Sequence, residues 1–130
     1  MTLIIGGAYS GKTDFALRKY SLNESEIIDG SNCAEDQIYS CRAIKNFHLF
    51  VQKYGIENGT ALAERIYLLN PGIVIISNEI GSGIIPMEKQ DRLWREETGR
   101  ACCVIAKHSE SVIRMCCGIP VFLKGEQDED

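Results

Sequence analysis

Short apolar runs alternate along this chain with stretches of helical spacing. TLIIG (2–6) is an apolar run ended by glycine, which predicts a short buried strand. A helix is expected over about 12–20, and EIIDG (26–30) reads as a second short strand closed by Gly30. From about 34 to 54, Cys41, Ile44, Phe47, Val51 and Tyr54 recur at spacings of three and four. That rhythm predicts one long helix stopped by Gly55. A further helix over about 60–69 would bury Leu62, Ile66 and Leu69 before NPG (70–72) ends it. IVIIS (73–77) is the apolar run of a central strand covered on both faces. NEIGSGIIP (78–86), with Gly81, Gly83 and Pro86, reads as a loop. A helix over about 87–107 carries Trp94, Thr98, Ala101, Cys102 and Ile105 on one stripe, and SVIRMCCG (111–118) and IPVFLK (119–124) are the last strands.

Strands alternating with helices predict an α/β fold, a mostly parallel sheet flanked by helices in a three-layer sandwich. The 130 residues suit one domain, expected over 1–124, with GEQDED (125–130) as a solvated acidic tail. In such a fold a turn after the first strand lies at the carboxyl edge of the sheet, where ligands bind.

Composition narrows the picture only slightly. Hydrophobic residues are 45% and charged residues 25%, and the net charge of −4 argues against a nucleic-acid partner. No window is apolar for long enough to span a bilayer, and the first charge, Lys12, follows a glycine turn rather than opening a leader. A cytoplasmic location is the default expectation. The six cysteines include the adjacent pairs Cys102–Cys103 and Cys116–Cys117 but no C-x-x-C. Neighbouring side chains diverge on helix or strand, so neither pair suits one tetrahedral ion, and six reduced thiols are expected.

The turn after the first strand carries the chemistry. Gly6, Gly7, Ala8, Tyr9, Ser10, Gly11, Lys12 and Thr13 match G-x-x-x-x-G-K-[ST] in full, between an apolar strand and a helix-forming run. Glycines let such a loop turn tightly and present its N–H groups to an anion at a helix N-terminus. Lys12 would meet the β- and γ-phosphates of ATP or GTP, and Thr13 would ligate Mg²⁺. The fold expectation sharpens to a P-loop NTPase-like sandwich. An acid beside the metal is expected at the end of a neighbouring strand; Glu79 is the first candidate, and Asp29 the second, or else a turn residue before Gly30.

The start LIIGGAYSGKT, the block NEIGSGIIP, the downstream TGR (98–100) and the final CGIPVFLK together resemble the adenosylcobinamide kinase/adenosylcobinamide-phosphate guanylyltransferase family. The resemblance covers roughly 1–30 and 72–124. It implies phosphorylation of the aminopropanol arm of adenosylcobinamide, a corrinoid, followed by attachment of GMP, in a homo-oligomer. The family's guanylylated histidine stands in a His-x-x-x-Arg-Pro setting that this chain lacks. His48 is the histidine of that region, followed by LFVQK, about one helical turn from the expected position near Ile44–Lys45. Lys12, Glu79 and His48 are therefore the catalytic candidates, with phosphoryl transfer the better supported half of the chemistry. His48 has two other readings, a half-buried structural histidine and a phosphate contact or base. His108 is expected on the surface at a helix end, and Trp94 in the core. The rival functions are a non-catalytic nucleotide-binding module and a small-molecule kinase with another acceptor.

Overall fold

The structure, a computed structural model, describes residues 1–79 and 89–125. Six strands form one sheet: β1 (Thr2–Gly6), β2 (Ile27–Asp29), β3 (Ala43–Lys45), β4 (Val74–Asn78), β5 (Ser111–Cys116) and β6 (Ile119–Lys124). Their order is β2-β3-β4-β1-β5-β6. All neighbours run parallel except β5 and β6, which are antiparallel. The helices are α1 (Lys12–Lys19), α2 (Phe47–Tyr54), α3 (Gly59–Leu69) and α4 (Lys89–His108). This is the α/β sandwich expected from the alternation of strands and helices.

Alternation along the strands assigns the layers. Successive strand side chains point to opposite faces. Leu3, Ile44, Ile73 and Ile75 face one way and pack with Phe47, Phe50 and Val51 of α2, Leu62 and Ile66 of α3, and Ala101 and Ile105 of α4. Ile4, Ala43, Val74, Ile76 and Ile113 face the other way and pack with Ala16, Phe15 and Leu17 of α1. The apolar run of β4 thus serves both layers, as a central strand should.

The one long helix expected over 34–54 is not there. A 3₁₀ turn (Glu35–Tyr39), strand β3 and the short helix α2 occupy that stretch. Ala43 and Ile44 are adjacent and both wholly buried, in different core clusters. A surface helix buries one stripe; two consecutive buried residues on opposite sides require a strand covered on both faces. β3 pairs with β2 through Ile27↔Ala43 and with β4 through Ile44↔Ile75. Asn46, at φ 55°, then turns the chain into α2, a left-handed conformation that asparagine tolerates. Within α2 the predicted spacing holds, since Phe47 and Val51 are buried and Tyr54 packs against them.

Elsewhere the boundaries shift by a residue or two, and residues 117–118 form the turn between β5 and β6. Residues 87–88, where the helix was expected to start, most of the 78–86 stretch and the tail beyond Gly125 lie outside the described residues. Among the described residues no helix is long and apolar enough to cross a membrane.

Candidate functional site

Parallel register brings the ends of β1, β4 and β5 together, because Gly6 lies opposite both Asn78 and Met115. The loop leaves the sheet at Gly6 and exposes Gly7, Ala8 and Tyr9. Ser10 is buried, and its carbonyl accepts a hydrogen bond from the Gly118 N–H at 3.1 Å, so the β5–β6 turn braces the loop. Gly11, at φ 89°, admits the left-handed turn that starts α1. Lys12 follows in the first turn, only 8% exposed, and donates from Nζ to the Gly7 carbonyl at 2.6 Å and the Ser10 hydroxyl at 3.4 Å. Burial lowers the Lys12 pKa below the usual lysine range; the negative charge of Glu79 opposes that shift.

A cavity of about 580 Å³ opens over this loop. Residues 8–14 form one wall, including Thr13, and Lys45, Asn46, Ile76 and Asn78 form the rest. The cavity therefore has a second basic residue, Lys45, in its lining. Neither Lys45 nor Asn46 was among the candidates from sequence, because both were assigned to the interior of a helix. The available signal was Asn46 itself, a poor helix-interior residue and a good turn and cap residue.

Asp29 makes the turn that one of its two readings expected. Its Oδ1 accepts from the Ser31 N–H at 2.9 Å, the Ser31 hydroxyl at 2.7 Å and Asn46 Nδ2 at 2.9 Å. Burial would raise its pKa, but these hydrogen bonds and the nearby Lys45 outweigh it and hold the carboxyl below the usual range. Asp29 thus acts on the site through Asn46, whose amide it anchors.

Glu79 stands just beyond β4, where its N–H donates to the Gly6 carbonyl at 2.9 Å. Its Oε2 accepts from Arg114 of β5 at 3.0 Å. Arg114 was not among the candidates from sequence; nothing in the linear chain connects it with Glu79, 35 residues away. Among the described residues no three His, Cys, Asp or Glu side chains converge on a point that could hold a metal ion. A phosphate-bound Mg²⁺ needs few protein ligands, since phosphates and water supply most of its shell. The Thr13 hydroxyl on the cavity wall, with a carboxylate close enough to act on Lys12, fits that need.

His48 lies in the first turn of α2, buried. The residues near Ile44–Lys45 against which its position was counted form β3, so the two are separated by a strand end and a turn, not by one turn of helix. Its Nδ1 accepts a hydrogen bond from the Asn78 N–H at 3.2 Å, which leaves Nε2 to carry the proton of the neutral ring. Burial first, then the charge of Lys12, push its pKa below the ordinary histidine value, with Asp29 acting weakly the other way. Trp94 donates from Nε1 to the His48 carbonyl at 2.7 Å and packs against the core, as expected. His108 ends α4 but is not simply solvated: its ring stacks on Tyr67 at 3.9 Å between centroids and meets Glu64 at 3.1 Å. Gly81, Gly83 and Pro86 lie outside the described residues.

A model of the cobinamide kinase / cobinamide phosphate guanyltransferase family matches residues 43–123. That range includes β3, α2 and α3, which the sequence reading had left out of the resemblance, and it excludes the 6–13 loop, whose motif stands on its own residues. Among curated proteins, the chain is 36% identical over 66 residues to the bifunctional adenosylcobalamin biosynthesis protein CobP of Pseudomonas aeruginosa. The matched stretch is 51% of this chain and spans 38% of that protein's length.

Proposed function

The chain belongs to the cobinamide kinase / cobinamide phosphate guanyltransferase family, and from that premise we propose that it binds ATP or GTP at the 6–13 loop and transfers the γ-phosphoryl group to a cobinamide-type corrinoid. The observation that carries this reading is the cavity over the loop, with Lys12, Thr13 and Lys45 in its lining. Two basic residues lining one cavity suit a polyphosphate, whose charge grows on the leaving oxygen during transfer.

In this reading Lys12 leaves the Gly7 carbonyl for the β- and γ-phosphates. Thr13 and, through water, Glu79 would hold Mg²⁺, which supplies neutralising charge to the phosphates. The N–H groups at the start of α1 complete the cradle. Asp29 fixes Asn46 against the same cavity. A cytoplasmic setting and a homo-oligomer belong to the same proposal.

In this reading His48 is given no nucleophile's part. An attacking imidazole needs a free lone pair. The Nδ1 lone pair of His48 is engaged by the Asn78 N–H, and Nε2 holds the proton. With the His-x-x-x-Arg-Pro setting also absent, the guanylyl half of the family's chemistry is not assigned to this chain.

Calorimetry with ATP and with GTP, with and without Mg²⁺, tests the reading. Lys12→Ala is expected to weaken triphosphate binding at least about tenfold, about 1.4 kcal/mol; equal binding by the two proteins would remove the phosphate site. In a second step, label at the γ-phosphate should pass to cobinamide, while α-labelled GTP leaves no GMP increment in the intact mass of the protein. Tight triphosphate binding with no transfer would favour a non-catalytic module.

A further inference from the structure

A second cavity, of about 300 Å³, lies on the α4 face of the same sheet edge, lined by Ile5, Asn78, Glu79, Thr98, Cys102 and Arg114 among others. Asn78 also lines the cavity over the loop, so the two cavities share a wall at the end of β4. Thr98 opens the TGR segment, to which the proposed phosphoryl transfer gives no role. It is 3% exposed, and its hydroxyl has no hydrogen-bond partner among the described residues. A threonine within a helix ordinarily returns its hydroxyl to the carbonyl four residues back. Left unpaired, the buried hydroxyl carries a desolvation cost that no described residue offsets.

We infer that this second cavity seats the acceptor as an uncharged, hydroxyl- or amide-bearing group hydrogen-bonded to Thr98. The charges on the wall already answer each other, since Arg114 donates to Glu79 at 3.0 Å. An anion would have to draw Arg114 from Glu79, and a cation would have to draw Glu79 from Arg114. A neutral group that both donates and accepts meets the unpaired Thr98 hydroxyl and leaves the ion pair intact. Ile5 and Cys102 offer apolar contact to the carbon skeleton beside it. Glu79 belongs to both cavities in effect: its charge acts on Lys12 across the sheet edge while its carboxylate lines the second pocket. A hydroxyl bound there would stand beside the group best placed to orient it.

The inference rests on the proposed triphosphate site, and the test separates the two. Thr98→Val removes the hydroxyl at nearly constant volume, and Thr98→Ser retains it. With the wild-type chain loaded with a non-hydrolysable triphosphate, cobinamide is the probe, and its binding is followed by calorimetry. Thr98→Val should weaken cobinamide binding about tenfold, the scale of one hydrogen bond. Thr98→Ser should bind it within about threefold of wild type, and both should bind the triphosphate as wild type does. With ¹³C-labelled threonine methyls, the Thr98 resonance should move on addition of cobinamide and stay in place with triphosphate alone. Unchanged cobinamide affinity in Thr98→Val, a Thr98 methyl that does not respond, or a loaded wild type that binds no cobinamide would each overturn the inference. Failure of the wild-type chain to bind either triphosphate would instead remove the phosphate site. A Thr98-dependent cobinamide affinity would survive that failure.

Discussion

His48 owes its lowered pKa first to burial, and its tautomer to a backbone amide. The Asn78 N–H donates to Nδ1, so a proton arriving there would break that bond and place a cation in the core near Lys12. The folded-state pKa therefore lies below the unfolded value of about 6.5. As pH falls below about 6.5, the unfolded chain takes up this proton before the folded chain does, and the stability contributed by the neutral ring is lost progressively. Imidazole ¹⁵N shifts recorded at pH 6.5 should show His48 predominantly as the neutral Nε2–H tautomer; a half-protonated ring would contradict the geometry. The burial agrees with the structural reading of His48 among the three that the sequence offered.

Helix α3 shows how one element can depend on the backbone of another. Gly59 begins it, buried, and donates its N–H to Glu97 Oε1 of α4 at 2.8 Å. Glu97 is buried as well and also accepts from Arg100 at 2.7 Å. A Cβ on Gly59 would run into the backbone of Glu97. Alanine favours helices over glycine by at most about 1 kcal/mol, whereas forcing a methyl into a packed contact costs about 1–3 kcal/mol. Gly59→Ala is therefore expected to destabilise the chain by a net of about 1–2 kcal/mol in urea unfolding. Gly72→Ala, with open space around it, should change stability by no more than a few tenths of a kcal/mol. Equal midpoints for the two variants would mean that α3 and α4 are not docked this way. The contact of Gly59 with Glu97, 38 residues away, is not legible in the sequence.

At the scale of the whole molecule, the thiols report on how the layers close. All six cysteines are free. Burial pushes the Cys102 thiol up to about 12 and the Cys41 thiol up to about 11, and raises Cys33 as well. Cys103, Cys116 and Cys117 are exposed. A thiolate reagent at pH 8 should modify these last three in a fast phase and Cys33, Cys41 and Cys102 only slowly, because thiolate fraction and access both favour the first group. Six equivalents should react once the chain is unfolded in the absence of reductant. Rapid labelling of Cys102 in the native chain would show that its thiol is not buried as the structure has it.

The phosphate-loop motif, the two-faced apolar run of β4 and the family resemblance were all legible in the linear chain. Each is local: the motif needs eight consecutive residues, and a strand covered on both faces needs only an unbroken apolar run. What the tertiary structure decided is everything that depends on residues far apart in sequence. Ala43 and Ile44 became a strand because β2 and β4 flank them, although their spacing to Phe47 and Val51 fits a helix equally well. That one reassignment moved Lys45 and Asn46 to the cavity over the loop. It also set His48 against the end of β4, with its lone pair engaged. Arg114 and Glu79, 35 residues apart, met only because β5 and β4 both lie beside β1. Local pattern fixes the propensity of a segment; which neighbours it finds, and so which side chains share a site, is set by packing energies that no single segment contains.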